Sequence, residues 1–239
     1  MKTFFVNISD ISNNKVLLSG EEHNHLKNVL RLNKGAQVCV VCGDEYNYNC
    51  EVVEVNKNNS LLKVNSKTLN TANPKVNLTA FVALIKNDKL NLIIQKLTEL
   101  GVTNIIPFES KYTIIKDNKL KHEKLQVISN QSIKQCGRSI PAKIYPTINI
   151  SQIDCKNYDL VLFANESEKN VKISDVILNK NLNNMALIIG PEGGFTTEEK
   201  AMLIKNGAKS VTLCSRILRA ETAAIMLTSL VLNYMGEFN

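Results

Sequence analysis

Gly190-Pro191-Glu192-Gly193-Gly194-Phe195-Thr196 follows the apolar run Ala186-Leu187-Ile188-Ile189 and precedes Thr197-Glu198-Glu199-Lys200, which has helical character. A strand that ends in a glycine-rich loop and restarts as a helix is the unit of open α/β sheets, whose ligands bind beyond the carboxyl ends of the strands. Glycine supplies positive φ and lets the backbone approach a ligand closely. A plain turn, with Thr196 or Thr197 capping the helix, reads equally well from this stretch by itself. No Gly-Lys-Ser/Thr follows, and the Gly-x-Gly-x-x-Gly spacing of dinucleotide sites is missing, which disfavours a phosphate cradle.

A second stretch, Leu213-Cys214-Ser215-Arg216-Ile217-Leu218-Arg219-Ala220-Glu221-Thr222-Ala223-Ala224, again passes from a strand end into a helix. Arg216 and Arg219 flank the apolar Ile217-Leu218, and Glu221 suits the positive end of the helix dipole. Arg219 is long enough to reach a phosphate or a base. In isolation, Glu221 and Thr222 also read as ordinary helix-start residues and Arg216 as a surface charge.

Outward from these loops the pattern alternates strand and amphipathic helix. Strands are predicted at Asn77 to Leu84, Asn104 to Pro107, Asp159 to Ala164, Met185 to Ile189 and Ser210 to Leu213. Helices are predicted at Asp88 to Leu100, Lys119 to Cys136, Thr197 to Asn206 and Ala220 to Tyr234. This is an α/β domain with a mainly parallel sheet. In the helix from Asp88, the residues Leu90, Ile93, Ile94, Leu97 and Leu100 form one apolar stripe, and Gly101 stops it. The first seventy residues differ: short β-branched runs at Thr3 to Ile8, Lys15 to Leu18, Ala36 to Val41, Tyr46 to Val55 and Ser60 to Asn65 predict a small β-barrel. One helical insertion, Glu22 to Leu32, interrupts it. Periodicity fades between Thr68 and Lys75, where the first proline stands, so the boundary is set near Asn73, giving domains 1–72 and 73–239.

Of the 239 residues, 44% are hydrophobic and 21% charged, the composition of an ordinary globular chain, and no apolar run is long enough to span a bilayer. Met1 to Asn14 lacks the pattern of a signal peptide, so a cytoplasmic location is expected. Six cysteines at irregular spacing fit reduced core residues; Cys39 and Cys42 form a Cys-x-x-Cys within a strand-like run, but no second ligand pair stands near, so no metal is expected. The net charge is +7. Residues 1–72 hold 8 Lys and Arg against 7 Asp and Glu, whereas Lys111 to Lys143 holds 8 against 2. Such a cluster reads as a solvated face or as a surface that attracts a polyanion by releasing its counterions.

Together the two loops carry more than either does separately. Gly-Pro-Glu-Gly-Gly-Phe-Thr followed by Ser-Arg-Ile-Leu-Arg-Ala-Glu-Thr-Ala resembles the SPOUT methyltransferases, and within them the RsmE family of 16S rRNA (uridine N3)-methyltransferases. Asp88, Gln95-Lys96 and Thr98-Glu99-Leu100-Gly101 are similar to that family's Lys-Gly-Asp…Gln-Lys-x-Thr-Glu-Leu-Gly helix. Gln135-Cys136-Gly137-Arg138 with Pro141 resembles its Gln-Cys/Ser-x-Arg…Pro stretch. His25, Val29-Leu30-Arg31 and Gly35 resemble its barrel signature.

The resemblance implies a knotted (trefoil) α/β SPOUT methyltransferase domain behind an N-terminal PUA-like β-barrel, an exception to the rule against threaded chains. S-adenosyl-L-methionine is the implied cofactor. Its implied pocket uses Leu84, then Ala164, Asn165 and Glu166, then Ile189, Gly190, Gly193 and Gly194, and finally Leu213, Ser215, Ile217, Leu218 and Thr222. Arg219 is the first choice of catalytic cation and Arg138 the second, with Glu221 orienting. RNA contacts are expected at Arg31, Lys111, Lys116, Lys119, Lys121 and Arg138. The implied partners are 16S rRNA in the 30S ribosomal subunit and a second copy of the chain, without membrane or metal. Two alternatives stay open: a SPOUT enzyme acting on another RNA, such as tRNA ribose, and a non-catalytic RNA-binding assembly factor. Cys214 replaces a frequent glycine of the family, Lys134 a glutamate, Lys111 an arginine and Lys2 an arginine; cysteine does not sit readily at positive φ.

Overall fold

The computed structural model describes residues 1–113, 115, 120–177 and 182–238. They form two compact units, Met1–Asn73 with Asn130–Pro141, and Pro74–Ser129 with Ala142–Asn239.

The first unit is built on strands β1 (Lys2–Phe5), β2 (Ile11–Ser12), β3 (Lys15–Ser19), β4 (Gln37–Val41), β5 (Tyr46–Val55) and β6 (Asn59–Leu69), ordered β1-β4-β5-β6-β3-β2. Only β1 and β4 run parallel; the other pairs are antiparallel. Alternation places Val16 and Leu18 of β3 inward with Phe4, Val38, Val40, Val52 and Leu62, so the strands share one core. The predicted single helix is instead a short α1 (Gly20–Asn24) that widens into a π-turn at His25–Val29, closed by Leu30 N donating to His25 O at 2.9 Å. The wide turn buries Leu26 fully, and Arg31 at φ +54° ends it.

The second unit runs through β7 (Asn77–Ala83), α2 (Asn87–Leu100), β8 (Asn104–Glu109), α3 (His122–Cys136), β9 (Lys143–Ile144), β10 (Ile148–Asn149), β11 (Leu160–Ala164), α4 (Ile173–Ile177), β12 (Asn184–Ile189), α5 (Thr197–Lys205), β13 (Lys209–Val211) and α6 (Ala220–Tyr234). Its sheet is parallel throughout, ordered β10-β8-β7-β12-β11-β13 with β9 also beside β8. Both faces are covered, as a parallel sheet requires. Leu78, Ala80 and Val82 point to one side, where the α2 stripe and Ala224, Leu227 and Val231 of α6 pack. Phe81 and Ala83 point to the other, against Phe163, Ile188, Phe195 and Leu203. Truncating a fully buried member such as Leu97 to alanine would cost about 2–5 kcal/mol. Gly101, at φ +119°, terminates α2, and Val102 N returns to Leu97 O at 2.9 Å. Because β11 lies between β12 and β13 in register, the carboxyl ends of all three open toward one place.

A single cut near Asn73 does not describe this packing. Residues 130–141, from the later turns of α3 through Pro141, belong to the first unit. Ile133 is fully buried with Phe5, Cys39 and Val41, Asn70 Nδ2 donates to Gly137 O at 2.8 Å, and Asn73 Oδ1 accepts from Ser139 N at 3.0 Å. Composition shifts mark where a chain changes pattern; they cannot mark a helix whose last turns pack with an earlier segment. Among the described residues no helix is long and apolar enough to cross a membrane.

Candidate cofactor site

Three loops leave the adjacent ends of β11, β12 and β13 and enclose a cavity of about 570 Å³. Ala164, Asn165 and Glu166 form one wall, Ile189 to Phe195 a second, and Thr212 to Ala220 the third, apart from Ser215; Ala223 of α6 and Lys89 of α2 complete the lining. The middle loop is anchored at both ends. It emerges from the buried Ile189, and it closes on Phe195, whose ring lies parallel to Phe108 at 6.4 Å and edge-on to Phe163 at 5.9 Å. A Cβ at position 190 would stand 2.9 Å from the Phe195 ring, so the backbone there can come this close only as glycine. Gly194 sits at φ +69°, where an L side chain is strained. Immediately beyond, Thr196 caps α5 in a reciprocal box with Glu199, its hydroxyl accepting from Glu199 N at 3.2 Å.

Charged side chains are arranged around this cavity. Lys89 Nζ lies 3.0 Å from Glu192 Oε1, and this ion pair lifts the Lys89 ammonium above the ordinary lysine range. Lys200 Nζ meets Glu166 Oε1 at 3.0 Å and Ser167 Oγ at the same distance. Arg219 occupies the N-cap position of α6 in extended backbone geometry and stays exposed on the cavity wall. Ile217 beside it is 87% exposed, an apolar side chain at the mouth with nothing of the described chain over it. Glu221 is half-buried, and its Oε2 has no hydrogen-bond partner among the described residues.

Eleven of the residues proposed from sequence meet at this cavity: Ala164, Asn165 and Glu166; Ile189, Gly190, Gly193 and Gly194; Leu213, Ile217, Leu218 and Arg219. Five do not line it: Leu84, Ser215, Glu221, Thr222 and Arg138. Leu84 is fully buried in the core, with its N–H bonded to Phe108 O, because β7 ends one strand away from the loops. Ser215 turns to an adjoining hollow of about 650 Å³. On α6, Ala220 and Ala223 face the cavity one turn apart, which directs Thr222 to solvent and leaves Glu221 off the lining. The lining also includes nine residues absent from the sequence-based pocket: Lys89, Pro191, Glu192, Phe195, Thr212, Cys214, Arg216, Ala220 and Ala223. Phe195 and Arg216 stood inside the quoted motifs, and Lys89 directly follows the Asp88 of the α2 signature. Cys214 lines the cavity without positive φ, so its replacement of glycine leaves the loop unstrained.

The proposed RNA contacts separate. Arg31, Lys111 and Lys121 are exposed, and Lys116 and Lys119 lie outside the described residues. Arg138 is 2% exposed within the first unit and is absent from the cavity lining. Lys134 is engaged as well, pairing with Glu22 at 2.7 Å. Among the described residues no group of three or more His, Cys, Asp or Glu could hold a metal.

Residues 71–232 match the family model for an RNA methyltransferase domain, and residues 18–65 match that for an RNA methyltransferase PUA domain. The chain is 34% identical over 227 residues to the ribosomal RNA small subunit methyltransferase E of Rickettsia conorii, covering 92% of this chain and 91% of the relative. It belongs to the ribosomal RNA small subunit methyltransferase E family. The Mesomycoplasma hyopneumoniae member is likewise 34% identical, over 233 residues and 95% and 97% of the two chains. Among solved structures, a Legionella pneumophila methyltransferase in complex with bound SAM superimposes with a TM-score of 0.87 at 25% identity, covering 97% of this chain and 96% of that one. The fold is therefore that of the family: a knotted SPOUT methyltransferase domain with a PUA-like N-terminal domain.

Proposed function

We propose that this chain transfers a methyl group from S-adenosyl-L-methionine to N3 of a uridine in 16S rRNA of the small ribosomal subunit. The observation that carries the reading is the cavity at the ends of β11, β12 and β13, with a mixed apolar and polar lining, a glycine backbone where a Cβ would not fit, and an exposed arginine on its wall. These features suit the donor. Ile189, Leu213 and Leu218 offer a surface for a flat base, while Glu166 and the backbone of the Gly190–Gly194 loop offer polar partners to its hydroxyl, amino and carboxylate groups.

When bound, the donor supplies an electrophilic methyl on a sulfonium. The chain's task is to make uridine N3 nucleophilic, which requires loss of its proton as negative charge spreads onto the uracil oxygens. Arg219 is the catalytic cation in this reading, stabilising that charge as a preorganised donor aimed at a developing anion does. Glu221, two residues on with one unpartnered oxygen, orients the cation from the start of α6. Arg31, Lys111 and Lys121, with Lys116 and Lys119, contact the RNA backbone. The enzyme acts in the cytoplasm as a homodimer, a reading supported by the apolar α6 and by Leu92 and Tyr234, which remain 39% and 42% exposed on α2 and α6. Calorimetry with S-adenosylhomocysteine and methylation of small-subunit rRNA with labelled donor test the proposal. Binding together with label in N3-methyluridine is expected; RNA binding without cofactor binding would make the chain an assembly factor instead.

A further inference from the structure

The ion pair between Lys89 and Glu192 has no role in the chemistry of methyl transfer, and its place in the fold is unusual. Lys89 lies in the first turn of α2, where the helix dipole disfavours a cation, and its neighbour Asp88 is the residue type that position prefers. The side chain nevertheless reaches across to Glu192, on the glycine loop, and both partners are 28% exposed rather than fully solvated. Glu192 stands between Pro191 and the Gly193-Gly194 pair, the part of the loop with the most backbone freedom. The loop's ends are fixed by β12 and by the packing of Phe195; its middle is tied to a distant element through this contact. Lys89 also feels the charges of Glu221 and Arg219, so it lies within electrostatic reach of the third loop.

We propose that Lys89 is a positioning residue for the cofactor loop: through Glu192 it clips the Gly190–Gly194 segment to α2 and slows release of the methyl donor. This role rests on the reading of the cavity as the cofactor site. An exposed ion pair contributes little to global stability. Its leverage is on a glycine-rich segment held otherwise by its own turn, Gly194 N donating to Pro191 O at 2.9 Å, and by Tyr112 against Gly193, where a modest bias changes occupancy.

A double-mutant cycle tests it, with S-adenosylhomocysteine as the probe and both the dissociation constant and the release rate measured. Lys89→Met and Glu192→Gln should each weaken binding about five-fold, mainly through faster release, and the double variant should be no weaker than either single one. Lys89→Arg should stay within about two-fold of the starting protein, and the exchanged pair Lys89→Glu with Glu192→Lys should recover most of the loss. Raising salt should weaken the starting protein and leave the Lys89→Met variant little changed. Single variants that bind as tightly as the starting protein, or losses that multiply in the double variant, would overturn the proposal. If Lys89→Met fails to fold, the Glu192→Gln and exchanged variants decide the same question. Absence of binding by the unaltered protein would instead overturn the cofactor reading, and the clip with it.

Discussion

Arg219 stands exposed on the wall of a cavity in the second unit, whereas Arg138 is 2% exposed and packs with residues 130–141 in the first. Both lie next to a helix end, both follow small or apolar residues, and both were plausible cations for the same reaction. An exposed guanidinium at a cavity retains its freedom to meet a ligand. A buried one is bound to the protein around it, because taking it from water is tolerable only with partners in place. The same contrast divides the lysine-rich run from Lys111 to Lys143: Lys134 is held by Glu22, while Lys111, Lys121, Lys124 and Lys143 face solvent.

Substitution at these positions separates the two arginines. Arg219→Ala should lower turnover by about 10²–10³-fold while the thermal midpoint stays near its original value, the signature of a lost transition-state contact; steady-state kinetics beside a melting curve would show it. Arg138→Met should do the opposite, destabilising the protein by about 3 kcal/mol in urea titration, since it removes a buried charged group and strands its partners. A smaller effect is expected of Gly194→Ala, for which the left-handed backbone costs roughly 1–2 kcal/mol. The added Cβ would lie 3.1 Å from Glu166 Oε1, and calorimetry should register the change as weaker cofactor binding. Smallest of all, Lys121→Glu should weaken RNA binding a few-fold and reduce the salt dependence of log K by about 1 or more, leaving cofactor affinity untouched.

Much of both units could be read from periodicity. The α6 bounds Ala220 and Tyr234 and the β5 bounds Tyr46 and Val55 agree with the structure, because each has a strong pattern and clear punctuation. The short β2, β9, β10 and α4 went unseen, being too brief for any period to show. The cavity loops were legible for a different reason: glycine and arginine beside strand ends are informative in themselves. Facing directions were not. Thr222 and Ala223 are neighbours in sequence and point to different surroundings, and Leu84 lies in the core although it directly follows a strand of the same sheet. The largest gap was the allegiance of residues 130–141. Its evidence is a set of contacts with Phe5, Asn70 and Asn73, more than fifty residues away in sequence, which no local pattern can report.

The proposed activity of the cavity beneath Arg219 is methylation of N3 of a small-subunit rRNA uridine. Its most direct test is nucleoside mass spectrometry of 16S rRNA from a strain lacking this chain, complemented with either the intact protein or Arg219→Ala. N3-methyluridine should disappear in the deletion, return with the intact protein and stay largely absent with Arg219→Ala. An unchanged level of N3-methyluridine in the deletion strain would contradict it.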